Sequence, residues 1–221
     1  MNAITPDQQN VVLDKIFVER RSYRQFKQEF PPEEDIRGII RTGLHAPFAA
    51  AAVGETEDYF RRFFVLKKGS KSLKAAASLI FEEAMTTASN LERAVESDPV
   101  LRTQASGFAK RLTMIKKMGQ VPGVGTAPYF IVVAERKGFP PVEQQALAHC
   151  LENMWLKATA LGLGFQLVSI TAQMADNPAF CTLLGLPPGK WALMGCAIGY
   201  PVKELPPSAR PPVEKVTRWL E

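Results

Sequence analysis

The sequence predicts an α+β fold, a small β-sheet wrapped by helices, as a single domain over residues 1–221. Three observations lead there. The run 129–134 is continuous, apolar and made of strand formers, as a strand buried on both faces requires. The helical stretch opened by Pro140-Pro141-Val142-Glu143 runs to about Leu161. It is apolar around most of its circumference, through Leu147, Cys150, Leu151, Met154, Trp155 and Ala158, which places it in a core or an extensive interface. No repeat or low-complexity linker divides the chain, and 46% apolar content supplies ample core.

The elements follow in order. Thr5 caps a first helix, with Pro6 at its first position and Gln8 closing a capping box. Val12, Ile16 and Phe17 give it part of an apolar face, and it ends near Glu19. Pro31-Pro32 start a second helix, whose first-turn acids Glu33, Glu34 and Asp35 complement the dipole. Ile36, Ile39, Ile40 and Leu44 form its buried face, Gly43 weakens its end, and His45-Ala46-Pro47 stops it. The stretch 48–54 is apolar, with small residues after Phe48. A second surface, either a planar ligand or a neighbouring helix, can approach it closely. Residues 59–66 read as a strand, ended by Lys67-Lys68-Gly69. Ser70 or Ser72 caps a long helix to about Ser97. Asp98-Pro99 restarts helix, with Leu101, Ala105, Phe108, Leu112 and Ile115 on one face. The segment 121–128 breaks it. Gly123 and Gly125 there precede a strand instead of joining strand to helix, which is the wrong context for a dinucleotide fingerprint. Residues 165–170 form a second buried strand, Asn177-Pro178 cap a short helix ending at Gly185, and 191–201 form a third strand whose glycines permit close backbone approach. The proline-rich tail, 202–221, is extended, carries Arg210 before Pro211-Pro212, and packs along the domain or along a second subunit.

Composition removes several function classes. Net charge is +5 with a pI near 9.2, a mild excess that favours anionic ligands. No basic helix interleaved with exposed aromatics marks a nucleic-acid binder. Cys150, Cys181 and Cys196 are odd in number, far apart and apolar in context, so they read as core thiols in a reducing compartment. With no secretory leader and no run of 18 apolar residues, a cytoplasmic protein off the membrane is expected. His45 and His149 pair with no carboxylates at metal-ligand spacing, so no metal is expected, and a G-x-S-x-G nucleophile elbow is absent.

The densest chemical signal is Arg20-Arg21-Ser22-Tyr23-Arg24-Gln25-Phe26. Three guanidiniums and a hydroxyl this close suit a phosphate, which arginine forks grip bidentately. A solvated basic turn, or arginines complementing the end of the first helix, is the structural alternative.

Four segments, in order along nearly the whole chain, carry a resemblance. They are Arg20-Arg21-Ser22-x-Arg24-x-Phe26; Ala158-Thr159-Ala160-Leu161-Gly162-Leu163-Gly164; Leu184-Gly185-Leu186-Pro187 followed by Ala197-Ile198-Gly199-Tyr200-Pro201; and Arg210-Pro211-Pro212-x-Glu214-x-Val216. The set resembles the nitroreductase family of flavin mononucleotide (FMN) oxidoreductases. The resemblance implies a three-layer α-β-α sandwich with a mostly antiparallel sheet, and a homodimer with FMN at the subunit interface, embraced by the tail. Arg20, Ser22 and Arg210 would hold the FMN phosphate. Arg24 would lie near the flavin N1/O2 edge, where a cation stabilises the anionic reduced ring. Leu167, Val168 and Ser169 would line the ring, with a backbone N–H near Ser169 reaching N5, and Pro47, Phe48 and Ala49 would complete the contacts. Arg21 is either a site residue or a structural one. The helical segment 70–119 would border the pocket.

The implied activity is hydride transfer from NADH or NADPH through flavin N5 to a small-molecule acceptor such as a nitroaromatic or quinone, by a ping-pong mechanism in which no side chain is a catalytic acid or base. A specialised flavin reaction on the same scaffold (dehalogenation or flavin fragmentation) and a non-catalytic flavin binder are the alternatives. One departure is plain. Where the family often has Ala-Pro-Ser, then Asn and Gln-Pro-Trp, this chain has Ala46-Pro47-Phe48 followed by four alanines, a more apolar wall.

Overall fold

The computed structural model describes residues 4–48 and 59–220. Four strands, β1 (Arg61–Lys67), β2 (Tyr129–Arg136), β3 (Gly164–Val168) and β4 (Trp191–Gly199), form one sheet in the order β1-β2-β4-β3, with every pair antiparallel. Helices α1 (Pro6–Glu19), α2 (Glu33–Leu44), α3 (Lys71–Ser97), α4 (Pro99–Gln104), α5 (Ser106–Met118), α6 (Glu143–Ala160) and α7 (Pro178–Leu184) surround it. Alternation along the strands sends residues to two separate cores. Ile131, Val133, Cys196 and Ile198 face α2 and α6, through Ile39, Leu147, Leu151 and Met154. Phe130, Val132, Ala134 and Leu193 face α3, α5 and α7, through Leu73, Ile80, Leu112 and Phe180. The result is the three-layer α+β arrangement expected from the sequence. No helix among the described residues is long and apolar enough to cross a membrane.

Local signals hold where they are short-range. Thr5 accepts from the Gln8 N–H while the Gln8 side chain accepts from the Thr5 N–H, closing the capping box. Ser70, not Ser72, caps α3, and Asp98 and Asn177 cap α4 and α7. Two expectations need correction. The helix restarted at Pro99 breaks at Ala105 into α4 and α5, where Ser106-Gly107, weak helix formers, follow. The strand expected over 165–170 ends at Val168, and Ser169–Asp176 coils into a 3₁₀ segment. That segment folds back onto β4 because Gly195, paired with Val168, has no side chain. A Cβ there would strike Thr171 Oγ1 and come within 2.8 Å of the Phe130 ring. Gly43 acts similarly: a Cβ would lie 3.0 Å from Cys150 Sγ, so its absence lets α2 settle on α6.

One buried ion pair fixes the corner between α2 and β1. Arg61 sits opposite Glu135 in the β1–β2 register and donates to both carboxylate oxygens, at 2.7 and 3.3 Å. Its remaining arm donates to the Gly43 carbonyl at 2.7 Å, capping α2. Burial outweighs this attraction and pushes the Glu135 carboxyl pKa upward.

Candidate functional site

The arginine-rich motif lies beside the sheet edge instead of in a free turn. The Arg20 N–H donates to Ile16, ending α1. Ser22 then makes a parallel bridge to Phe165 of β3, the Tyr23 N–H donates to the Phe165 carbonyl at 3.0 Å, and the Lys27 N–H donates to Tyr200 at 2.8 Å. Phe26 is buried in the core, while Ser22 and Arg24 reach a cavity. The edge strand β3 is thereby covered, and its backbone groups are partly satisfied by the motif.

The cavity holds about 510 Å³, within the usual size of ligand sites. Ser22 and Arg24 form one wall, Leu167, Val168 and Ser169 a second, and Phe108, Arg111, Leu112 and Ile115 of α5 a third. Trp155, Gln166 and, from the 3₁₀ segment, Gln173 also line it. The cavity thus gathers five of the residues the sequence pointed to, from segments more than a hundred positions apart. A smaller space of about 360 Å³ also opens on Ser22 and Arg24 and adds Lys203 from the tail.

The other expected residues sit elsewhere. Arg20 pairs with Glu152 at 3.1 Å and lies 4.5 Å from the centre of the Trp155 ring, and it is not among the residues that line the cavity. Arg21 donates to the carbonyls of Pro206 (2.8 Å) and Arg20 (2.6 Å), which ties the tail to the motif. Pro47 and Phe48 are not among the lining residues, and Phe48 stacks on Phe60 at 3.6 Å. Ala49 lies outside the described residues. Arg210 is exposed on the extended tail and does not line the cavity within this one chain.

The electrostatics favour an anion. Among the described residues no Asp or Glu lines the cavity, while Arg24 and Arg111 both do. Among the described residues neither guanidinium makes an ion pair or hydrogen bond. Burial, and then repulsion from Arg24, push the Arg111 pKa down. Gln166 is buried. Its amide donates to Pro122 at 2.8 Å, but its Oε1 has no partner. Two unpaired guanidiniums, one of them half-buried, a hydroxyl, an unmet acceptor and apolar walls fit a ligand with an anionic group and a flat heterocyclic ring, as FMN has. Arg111, Trp155, Phe108 and Gln166 were not singled out as site residues from sequence. Arg111 lies in a run of alternating lysines and apolar residues that looks like a solvated helix face, and Trp155 reads as core. Among the described residues no cluster of three or more His, Cys, Asp or Glu could hold a metal ion.

The nitroreductase family model matches residues 17–200. Solved structures share the fold at low identity. A nitroreductase with bound FMN from Bacteroides fragilis NCTC 9343 aligns with a TM-score of 0.66 at 19% identity, covering 95% of this chain and 98% of that one. An oxidised iodotyrosine deiodinase bound to FMN and 3-iodo-L-tyrosine aligns at 0.66 and 20%, covering 95% and 99%. A BluB-like flavoprotein from Clostridium difficile 630 aligns at 0.62 and 21%, covering 95% and 99%. No curated protein matches the sequence.

Proposed function

Given that the chain belongs to the nitroreductase family, we propose that it is an FMN-dependent oxidoreductase that works as a homodimer. Bound FMN would supply the redox chemistry, accepting a hydride from NADH or NADPH and passing electrons to a small organic acceptor such as a nitroaromatic or quinone. The observation that carries this reading is the cavity that joins Ser22 and Arg24 to Leu167, Val168 and Ser169, with no carboxylate lining it among the described residues.

The chain's own groups have separable tasks in this reading. Ser22 is a short neutral donor for phosphate or ribityl oxygens. Arg20 is available to the phosphate if it exchanges Glu152 for the stronger dianion, and Arg210 joins from the tail of the partner subunit. Arg24 would place a positive charge near a bound ring and so favour its reduced, anionic form. Leu167 and Val168 shield one ring face from water, and the backbone after Val168, where the strand ends and the 3₁₀ segment begins, leaves N–H groups free of the sheet. Phe108, Leu112 and Ile115 of α5 give the other side an apolar lining. None of these groups has to gain or lose a proton.

Fold likeness alone does not choose the acceptor, since a deiodinase and a reductase align equally well. The test is direct. Protein supplied with FMN turns yellow and retains the flavin through desalting, and anaerobic NADH or NADPH then bleaches it. Colourless protein sinks the flavin assignment, and retained flavin that neither donor bleaches makes the protein a passive binder.

A further inference from the structure

The flavin reading above uses Arg24 and leaves the cavity's second guanidinium, Arg111, without a task. Its setting is specific. It projects from α5 into the same cavity as Arg24, between Phe108 one turn earlier and Ile115 one turn later. It is half-buried, and among the described residues no acidic side chain lines the space and no partner neutralises it. A solvated surface arginine costs nothing to leave unpaired, but this one does. Partial removal from water and the nearby Arg24 charge both oppose its ionisation. Such a cost is recovered only when an anion enters. Phe108 beside it offers a flat apolar surface, and Gln173 on the facing 3₁₀ segment offers an amide.

We infer that Arg111 is a specificity-determining residue, and that the electron acceptor of this chain is an aromatic molecule bearing a carboxylate, which Arg111 grips while the ring lies against Phe108. The fork geometry of a guanidinium matches a carboxylate through two parallel N–H···O bonds. A neutral aromatic of the same shape would leave the charge unpaired, which selects against it.

This inference rests on the flavin reading, and one titration tests the two separately. FMN-loaded protein is titrated with benzoate and with benzamide, which share size and shape and differ in charge, and binding is followed by perturbation of the visible flavin spectrum. The full chain is expected to hold benzoate about tenfold or more tightly than benzamide at low salt, as a charge-assisted pair allows. Arg111→Gln should remove that preference in protein that still carries FMN, and Arg111→Lys should retain part of it. Melting curves of both variants verify the fold, and the lysine variant keeps the test open if the glutamine variant unfolds. Equal binding of the two probes by the unaltered chain overturns the inference and leaves the flavin reading standing. So does a benzoate preference that survives in Arg111→Gln, or a loss of FMN affinity in that variant with the preference intact. A chain that takes up no FMN overturns both.

Discussion

Cys150 and Cys196 show how much a single residue's chemistry depends on where the fold puts it. Both are fully buried, on α6 and β4 of the same core. Burial pushes the Cys150 thiol up to about 12, and Cys196 well above its ordinary value. Neither is a nucleophile in the native state. The pH consequence has a definite sign. Below about pH 9 the thiols are protonated in both folded and unfolded chains, and they do not bias the equilibrium. Above it the unfolded chain ionises while the folded chain does not, so unfolding releases protons and stability falls as pH rises toward 12. The slope is up to about 1.4 kcal/mol per pH unit for each thiol. Denaturant titrations at pH 8 and pH 10 should show that loss, and Cys196→Ala should carry a smaller one. The apolar context of these cysteines made their burial readable from sequence. The pairing of Arg61 with Glu135 was not, because 74 positions separate the two and only strand register brings them together.

At the scale of elements, β4 and the 3₁₀ segment over it depend on one absent side chain. Gly195 lets Thr171 and Phe130 close onto the strand. Both belong to regular elements packed in the core, so neither can retreat cheaply. Gly195→Ala should therefore destabilise the fold by about 1–3 kcal/mol, as overpacking does, measured by urea unfolding. It should also weaken FMN retention, since the displaced segment begins at Ser169 in the cavity wall. Unchanged stability would mean that the segment moves freely. Sequence periodicity identified nearly every described helix and strand, and the glycines of β4 signalled close approach. The end of β3 at Val168 was not legible, because residues 169–170 continue a pattern compatible with strand and only Gly195 across the sheet invites the turn.

For the whole molecule, the single chain leaves a good deal of apolar surface uncovered. Helix α1 has no buried residue. Val11 and Val18 are 68% and 61% exposed, and Trp219 at the end of the tail is 89% exposed. Scattered exposed apolar residues are ordinary, but an entire helix face and a terminal tryptophan are an expense that a second copy would remove. The proposed homodimer should sediment at about twice 24.4 kDa, and removing residues 203–221 should shift it toward monomer and release FMN, because Arg210 leaves with the tail. A full-length chain that stays monomeric at micromolar concentration would refute the shared site and with it the role given to Arg210.

What the sequence determined by itself is what short-range physics controls. Caps, breakers and apolar period set the described helices and strands, and the ordered motifs set the family. Through the family resemblance it also put forward Ser22, Arg24 and residues 167–169 as one candidate site. The tertiary structure decided which charges share a space. It turned Arg20 toward Glu152, committed Arg21 to the tail backbone, and set Arg111 from a plain basic helix opposite Arg24. Those outcomes depend on packing between segments distant in the chain, and electrostatic energy follows distance in space and access to water, neither of which a local pattern records.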